Sequence, residues 1–153
     1  DSKRLIVMEE DSGEITIKNG WNSVYIYREG GISREDISNS CENPAIFQFD
    51  DNGDLKKIES SLNPGDAYIV RVDDKCKVSS SGTVYEKDSI SLHKGWNVAG
   101  ASESLSIDKV EENCKDTFVF FTRGGSLQSI KDEMQAGRGY MIRVSEPCSI
   151  NLG

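Results

Sequence analysis

The tripeptide Gly-Trp-Asn occurs twice, in "KNGWN" at 18–22 and in "HKGWN" at 93–97, and it holds both tryptophans of the 153-residue chain. A repeat constrains a fold more than any single motif, because each copy must make sense by itself. The match extends downstream, where "DLKKIESSLNPGDAYIVRV" (54–72) aligns with "SLQSIKDEMQAGRGYMIRV" (126–144) at an offset of 72. Leu55, Ile58, Leu62, Gly65, Tyr68, Val70, Arg71 and Val72 meet Leu127, Ile130, Met134, Gly137, Tyr140, Ile142, Arg143 and Val144. Upstream, "LIVMEEDSGEITIKNGWN" parallels "GTVYEKDSISLHKGWN". The offset shrinks from 77 to 72 along the chain, which places small deletions in the loops of the second copy. The chain therefore divides into two modules, 1–80 and 81–153, each near the lower size limit for independent folding.

The four cysteines follow the same repeat: Cys41 and Cys114, then Cys76 and Cys148. One pairing per module, Cys41–Cys76 and Cys114–Cys148, closes intervals of 35 and 34 residues. Such loops contribute about 3–4 kcal/mol in the chain-entropy view, a large share for so small a unit. Buried free thiols are the alternative. Zinc is a third, but it favours close pairs such as Cys-x2-Cys, which the chain lacks. Disulfides imply an oxidising setting, secreted, periplasmic or cell-surface, of which an extracellular or cell-surface one is expected here.

Strand patterns dominate. "RLIVME" (4–9) and "EITIK" (14–18) bracket a hairpin-like "DSG". "NSVYIY" (22–27), "AIFQFD" (45–50) and "FVFFT" (118–122) are rich in β-branched and aromatic residues. In "DAYIVRV" (66–72) Tyr68, Val70 and Val72 share one face and Ile69 and Arg71 the other, and "GYMIRV" (139–144) repeats the pattern. "SREDISNSC" (33–41) predicts a short helix with Ser33 as N-cap and Asp36 three positions on; Ile107, Val110 and Cys114 mark its copy. Leu55, Ile58 and Leu62, matched by Leu127, Ile130 and Met134, predict a second helical piece ending at Gly65 or Gly137. The expected class is mainly β, with α+β the alternative: two tandem antiparallel-sheet modules, each with one or two short helices and one disulfide.

The shared residues read as anchors of shape. Gly20 and Gly95 permit a bend, Trp21 and Trp96 carry a large apolar surface into a thin core, and Asn22 and Asn97 bond neighbouring backbone. Tyr68 and Tyr140 complete the framework. The alternative for tryptophan is an exposed platform on which a sugar ring stacks.

Gly-Trp-Asn after a short β segment, followed by a Gly-x-(Ala/Gly)-Tyr-x-(Val/Ile) strand closing near "CKVSSSG" or "CSINLG", resembles the tandem GWN…GYW modules of large extracellular proteins of archaea and bacteria. Those are surface-layer-like proteins, adhesins and secreted proteases. The resemblance spans nearly the whole chain and implies a surface or secreted accessory module; it brings no catalytic residues. Ile69 and Met141 stand where such modules usually place an aromatic after the tyrosine, and the cysteine pair is not typical of them.

Little in the chain suggests chemistry. The only histidine, His93, corresponds to Lys18 in the first copy, so no Ser-His or Cys-His pair belongs to the shared design. "FDDNGDL" (49–55) superficially suggests a calcium loop with Asp50, Asp51, Asn52 and Asp54. It lacks the regular spacing and the distal Glu, and reads as an Asn-Gly turn between strand and helix. No metal or cofactor is expected. The net charge of -8 and pI near 4.7 argue against nucleic acid, and no apolar run reaches membrane-spanning length. The start at "DSKRL", without Met, fits a mature or excised fragment. Tyr25 and Tyr27 face Gly100 and Ser102 in the alignment, so Tyr25, Tyr27 and Arg28 form the first choice for a copy-specific contact surface, with packing against the other module as the alternative. The expected function is a non-catalytic structural or adhesive module acting by protein–protein contact, with other proteins or cell-surface polymers as partners. The second reading is a carbohydrate- or ligand-binding accessory module of a secreted enzyme.

Overall fold

The computed structural model describes residues 14–152. The expected strand at 4–9 and the "DSG" turn lie outside the described residues. The first repeat runs β1 (Glu14–Ile17), β2 (Gly20–Tyr25), α1 (Arg34–Ser40), β3 (Ala45–Phe49), β4 (Leu55–Lys57), β5 (Ala67–Val72) and β6 (Cys76–Ser79). The second runs β7 (Ser89–Leu92), β8 (Gly95–Ala99), β9 (Leu105–Ser106), α2 (Ile107–Asn113), β10 (Phe118–Arg123), β11 (Ser126–Ser129), β12 (Glu133–Met134), β13 (Tyr140–Val144) and β14 (Cys148–Asn151). The mainly-β expectation holds, and all pairings between strands are antiparallel.

Each repeat builds a four-stranded sheet, β2-β5-β3-β4 or β8-β13-β10-β11, and a two-stranded ribbon, β1-β6 or β7-β14. The ribbon and the helix close over one face of the sheet. Ile15, Ile17, Ile37, Ile46, Tyr68, Val70 and Val78 form the first core, and Ile90, Leu92, Val110, Val119, Tyr140, Ile142 and Ile150 the second. Tyr68 and Tyr140 also tie down the preceding turns, since their hydroxyls accept from the N–H of Asn63 (2.9 Å) and Gln135 (2.8 Å).

The first helix begins as the capping pattern predicts, and the second begins the same way. Ser33 Oγ accepts from the Asp36 N–H, and Ser106 Oγ accepts from the Lys109 N–H. Both end on a cysteine. Cys41 is bonded to Cys76 at the start of β6 and Cys114 to Cys148 at the start of β14, so each bridge fastens the helix to the ribbon across its own core.

The second helical piece is not there. Leu55–Lys57 and Ser126–Ser129 are outer strands of hairpins with β3 and β10. The i, i+3, i+7 spacing of the apolar residues is real, but it does not mark one buried stripe. Leu55 and Leu127 are exposed, Ile58 and Ile130 are partly buried against the cores, and Leu62 and Met134 pair with Ile32 and Leu105 beside the helix starts. Glycine turns decide the outcome: Gly53 (φ 81°), Gly124 (φ 64°) and Gly125 (φ 82°) take the left-handed conformation that folds a strand straight back. The "DNGD" turn thus joins strand to strand rather than strand to helix.

Candidate functional site

The two four-stranded sheets turn their second faces toward each other. Strand alternation puts Asn22, Val24 and Ile26 into the first core, so Trp21, Ser23 and Tyr25 point the other way, at the second repeat. In β8 the same alternation buries Asn97 and Ala99 and turns Trp96 and Val98 toward the first repeat. The tryptophans therefore do not anchor the cores as expected; Trp21 is 38% exposed and Trp96 half-buried.

The asparagines do what their chemistry suggests. Asn22 Nδ2 donates to the carbonyls of Lys18 (2.9 Å), Gly20 (3.1 Å) and Val70 (3.3 Å), while its Oδ1 accepts from Lys18 N–H (3.1 Å). Asn97 repeats the set with His93, Gly95 and Ile142. Each locks the turn between ribbon and sheet onto the central strand.

Gly-Trp-Asn has a further role, as the seat for the opposite repeat's hairpin. The Gly124 N–H donates to Asn22 Oδ1 (3.1 Å) and the Gly125 N–H to the Trp21 carbonyl (2.9 Å). Reciprocally, the Gly53 turn lies on Gly95 and Trp96, so close that a Cβ on Gly53 would sit 3.1 Å from Trp96 N. Between the seats, Ser23 Oγ donates to Gly139 O (2.7 Å), and Tyr25 fills the space that Gly100 leaves. Tyr27 donates to Ser102 O (3.2 Å), with Ala67, Val84 and Val98 around the two tyrosines. Tyr25 and Tyr27 are 1% and 8% exposed, so they are not a free contact surface; the alternative, packing against the other module, is what the structure places there. Arg28 lies over the Tyr27 ring and donates to Gly82 O in the linker. Among the described residues the Tyr25 hydroxyl finds no hydrogen-bond partner, and burial drives its pKa well above the ordinary tyrosine value.

One end of this interface stays open. There a cleft of about 320 Å³ is lined by three pairs of repeat equivalents: Leu55 and Leu127, Ile69 and Met141, Phe49 and Thr122. Trp21 and Gly125 complete it. The equivalence of Phe49 and Thr122 comes from strand register. Phe47 pairs with Ile69 and Phe120 with Met141, so these strands match at an offset of 73, one residue more than the offset of 72 that relates 54–72 to 126–144 and that would set Phe49 against Phe121 in "FTRGGSL". The missing residue is in the turn, three residues long between Asp50 and Asp54 and two between Arg123 and Ser126.

That single difference opens the cleft. Trp96 is flanked by Phe120 of its own sheet (5.9 Å between ring centres) and by Phe49 of the other (6.3 Å). Trp21 has Phe47 of its own sheet at 5.4 Å, but opposite it stands Thr122, not a ring. Its indole is left facing solvent beside Leu55 (45% exposed) and Leu127 (58% exposed). Two larger depressions, of about 410 and 420 Å³, lie beside Ser104–Lys109 and Cys114–Phe118 and are lined mainly by polar, exposed residues.

No family model, curated protein or solved structure matches the chain.

The remaining candidates do not converge on this cleft. His93 lies in the turn before β8, its Nδ1 3.2 Å from the Lys94 carbonyl. Asp50 Oδ1 accepts from the N–H groups of Asp54 (3.0 Å) and Asn52 (2.9 Å), which hold its pKa below the usual aspartate value. The carboxylate thus shapes the turn as an Asx motif. Among the described residues no group of three or more His, Cys, Asp or Glu is placed to hold a metal ion, and no helix is long and apolar enough to cross a membrane.

Proposed function

We propose that the protein is a non-catalytic contact module of a larger extracellular or cell-surface protein, working by protein–protein contact through the cleft between its repeats. The observation that carries this reading is the exposed apolar cluster of Trp21, Leu55 and Leu127 on an otherwise polar, acidic chain. Exposed apolar residues gathered at a cleft mark interaction sites more than scattered ones do. The setting rests on the two disulfides, which persist outside the reducing cytosol. It agrees with the likeness to tandem modules of surface-layer-like proteins, adhesins and secreted proteases.

The exposed indole of Trp21 favours the second reading, a carbohydrate site. Against it, among the described residues that line the cleft the one hydroxyl side chain is Thr122, and it already reaches the Trp21 carbonyl (3.5 Å). A sugar would find a face to stack on but few partners for its hydroxyls, and buried polar groups without partners are costly.

The test is a displayed library of random peptides and a glycan array, both screened with the whole chain and with Leu127→Asp. Saturable peptide binders lost in the variant are expected. Specific glycan binders with no peptide binders would replace protein contact by carbohydrate recognition.

A further inference from the structure

We propose that β11 is a strand-addition edge, taking an extended segment of a partner protein in which apolar side chains alternate with acidic ones; this rests on the protein-contact reading above. β4 and β11 are the outer strands of their sheets on the cleft side. In β11 the two-residue Gly124–Gly125 turn makes Arg123 and Ser126 a hydrogen-bonded pair, and the Ile130 N–H donates to Val119 O at 2.9 Å. By alternation the N–H and C=O groups of Leu127 and Ser129 point outward. Among the described residues no other strand pairs with them.

An open edge is normally blunted by charge or proline. β4 obeys the rule, with Lys56 and Lys57 following Leu55. β11, its repeat equivalent, reads Ser-Leu-Gln-Ser and is exposed at all four positions. Its apolar side chain, Leu127, lines the cleft beside Trp21, as Leu55 of β4 does. A strand laid along β11 would form main-chain bonds to Leu127 and Ser129 and turn every second side chain toward the cleft.

Charge selects the other side chains. Acids outnumber bases 26 to 18 in the chain, yet the eight strands of the two four-stranded sheets contain no Asp or Glu. They carry Lys56, Lys57, Arg71, Arg123 and Arg143. Of these, Lys57 shares the face of Leu55 with its Nζ 3.9 Å from Glu59, and Arg71 is cross-strand from Trp21 with its side chain 3.3 Å from Asp73. The strands around the cleft thus carry Lys and Arg and no Asp or Glu on an anionic protein, which suits an acidic segment better than a basic one.

The probe is a fluorescein-labelled peptide alternating valine and glutamate, titrated against the whole chain by anisotropy. Three companions are used: the same peptide with lysine for glutamate, the same peptide N-methylated at every second amide, and the chain variant Ser129→Pro. Saturable binding of the first peptide is expected. Ser129→Pro removes an outward N–H and should weaken it about tenfold, the loss of one main-chain bond with its acceptor left unpaired, while Ser129→Ala should not. The lysine peptide should bind more weakly still. N-methylation leaves the protein untouched, so it decides the matter even if Ser129→Pro does not fold. Equal binding of the methylated and unmethylated peptides would overturn strand addition while leaving protein contact standing. No saturable binding of the valine–glutamate peptide, or dimerisation of the chain that Ser129→Pro abolishes, would overturn the proposed occupant.

Discussion

Gly100→Ala tests whether the two repeats are fitted to one another residue by residue. A Cβ at Gly100 would lie 2.5 Å from Tyr25 Cγ and 2.6 Å from the Arg138 carbonyl, far inside van der Waals contact. Gly100 does not take a left-handed conformation, so the backbone accepts alanine and the cost is steric. Overpacking of this kind costs about 1–3 kcal/mol. For a chain of this length that lowers the melting temperature by about 2–4 °C per kcal/mol. Tyr25→Ala alone opens a cavity at a side chain only 1% exposed and should cost about 3–5 kcal/mol, as for other large aromatics. In that background the clash with the Tyr25 ring is gone while the 2.6 Å approach to the Arg138 carbonyl stays, so the penalty of Gly100→Ala should fall without vanishing. The double-mutant cycle, read by urea unfolding with fluorescence and circular dichroism together, should return a coupling of about 1 kcal/mol, the part of the cost that the Tyr25 ring imposes. Gly139→Ala is the internal control. Its Cβ meets the Val24 backbone at 2.5 Å, so Tyr25→Ala should not rescue it. A Gly100→Ala cost equal in both backgrounds would refute reciprocal packing of Tyr25 and Gly100.

Asn22→Ala should cost about 2–4 kcal/mol and Asn97→Ala about 1 kcal/mol less, because among the described residues Asn22, unlike Asn97, also satisfies an N–H of the opposite repeat, that of Gly124; chemical denaturation of the two variants gives the difference. Replacing Cys41 and Cys76 together by serine, or Cys114 and Cys148, should cost about 3–4 kcal/mol in either repeat, since the closed loops differ by one residue; a markedly unequal loss would show that the bridges do not act alike. The Asp50 carboxylate, with its folded pKa depressed by the N–H groups of Asp54 and Asn52, contributes stability at pH values above its ordinary pKa. That contribution is lost as pH falls below about 4 and through the depressed value, so Asp50→Asn should flatten the acid limb of stability against pH. In a Trp96→Phe background, Thr122→Phe should place a ring opposite Trp21, as Phe49 stands opposite Trp96, and reduce acrylamide quenching of the remaining indole.

Much of the fold was legible because the repeat supplied two independent copies of each clue. Cysteines recurring at matched intervals, capped short helices and the alternation of Tyr68, Val70 and Val72 each pointed to elements found in the structure. The hairpins at β4 and β11 were misread because exposed leucines at helical spacing imitate a buried stripe, and apolar spacing does not report burial. The tryptophans were misassigned for a related reason. A rare, repeated, large apolar residue suggests a core, but strand alternation allots the core to Asn22 and Val24 and leaves Trp21 on the other face.

The candidate site was hidden by a single residue of alignment. Matching "FDDNGDL" to "FTRGGSL" sets Phe49 against Phe121, so the two copies look alike at the one position where they differ in effect. Sheet register sets Phe49 against Thr122 instead. Phe121 then falls on the core face, in ring contact with Tyr140 at 5.6 Å, while the place opposite Trp21 goes to a threonine. The shared residues, Asn22, Asn97 and the two disulfides, hold each repeat in shape. Differences between equivalents do the rest: tyrosine against glycine closes one part of the interface, and phenylalanine against threonine opens another. A duplicated chain can build an asymmetric cleft this way because a two-fold arrangement brings equivalent positions face to face. There one large residue fits against one small one, and a position that is small where its equivalent is large leaves room for a partner.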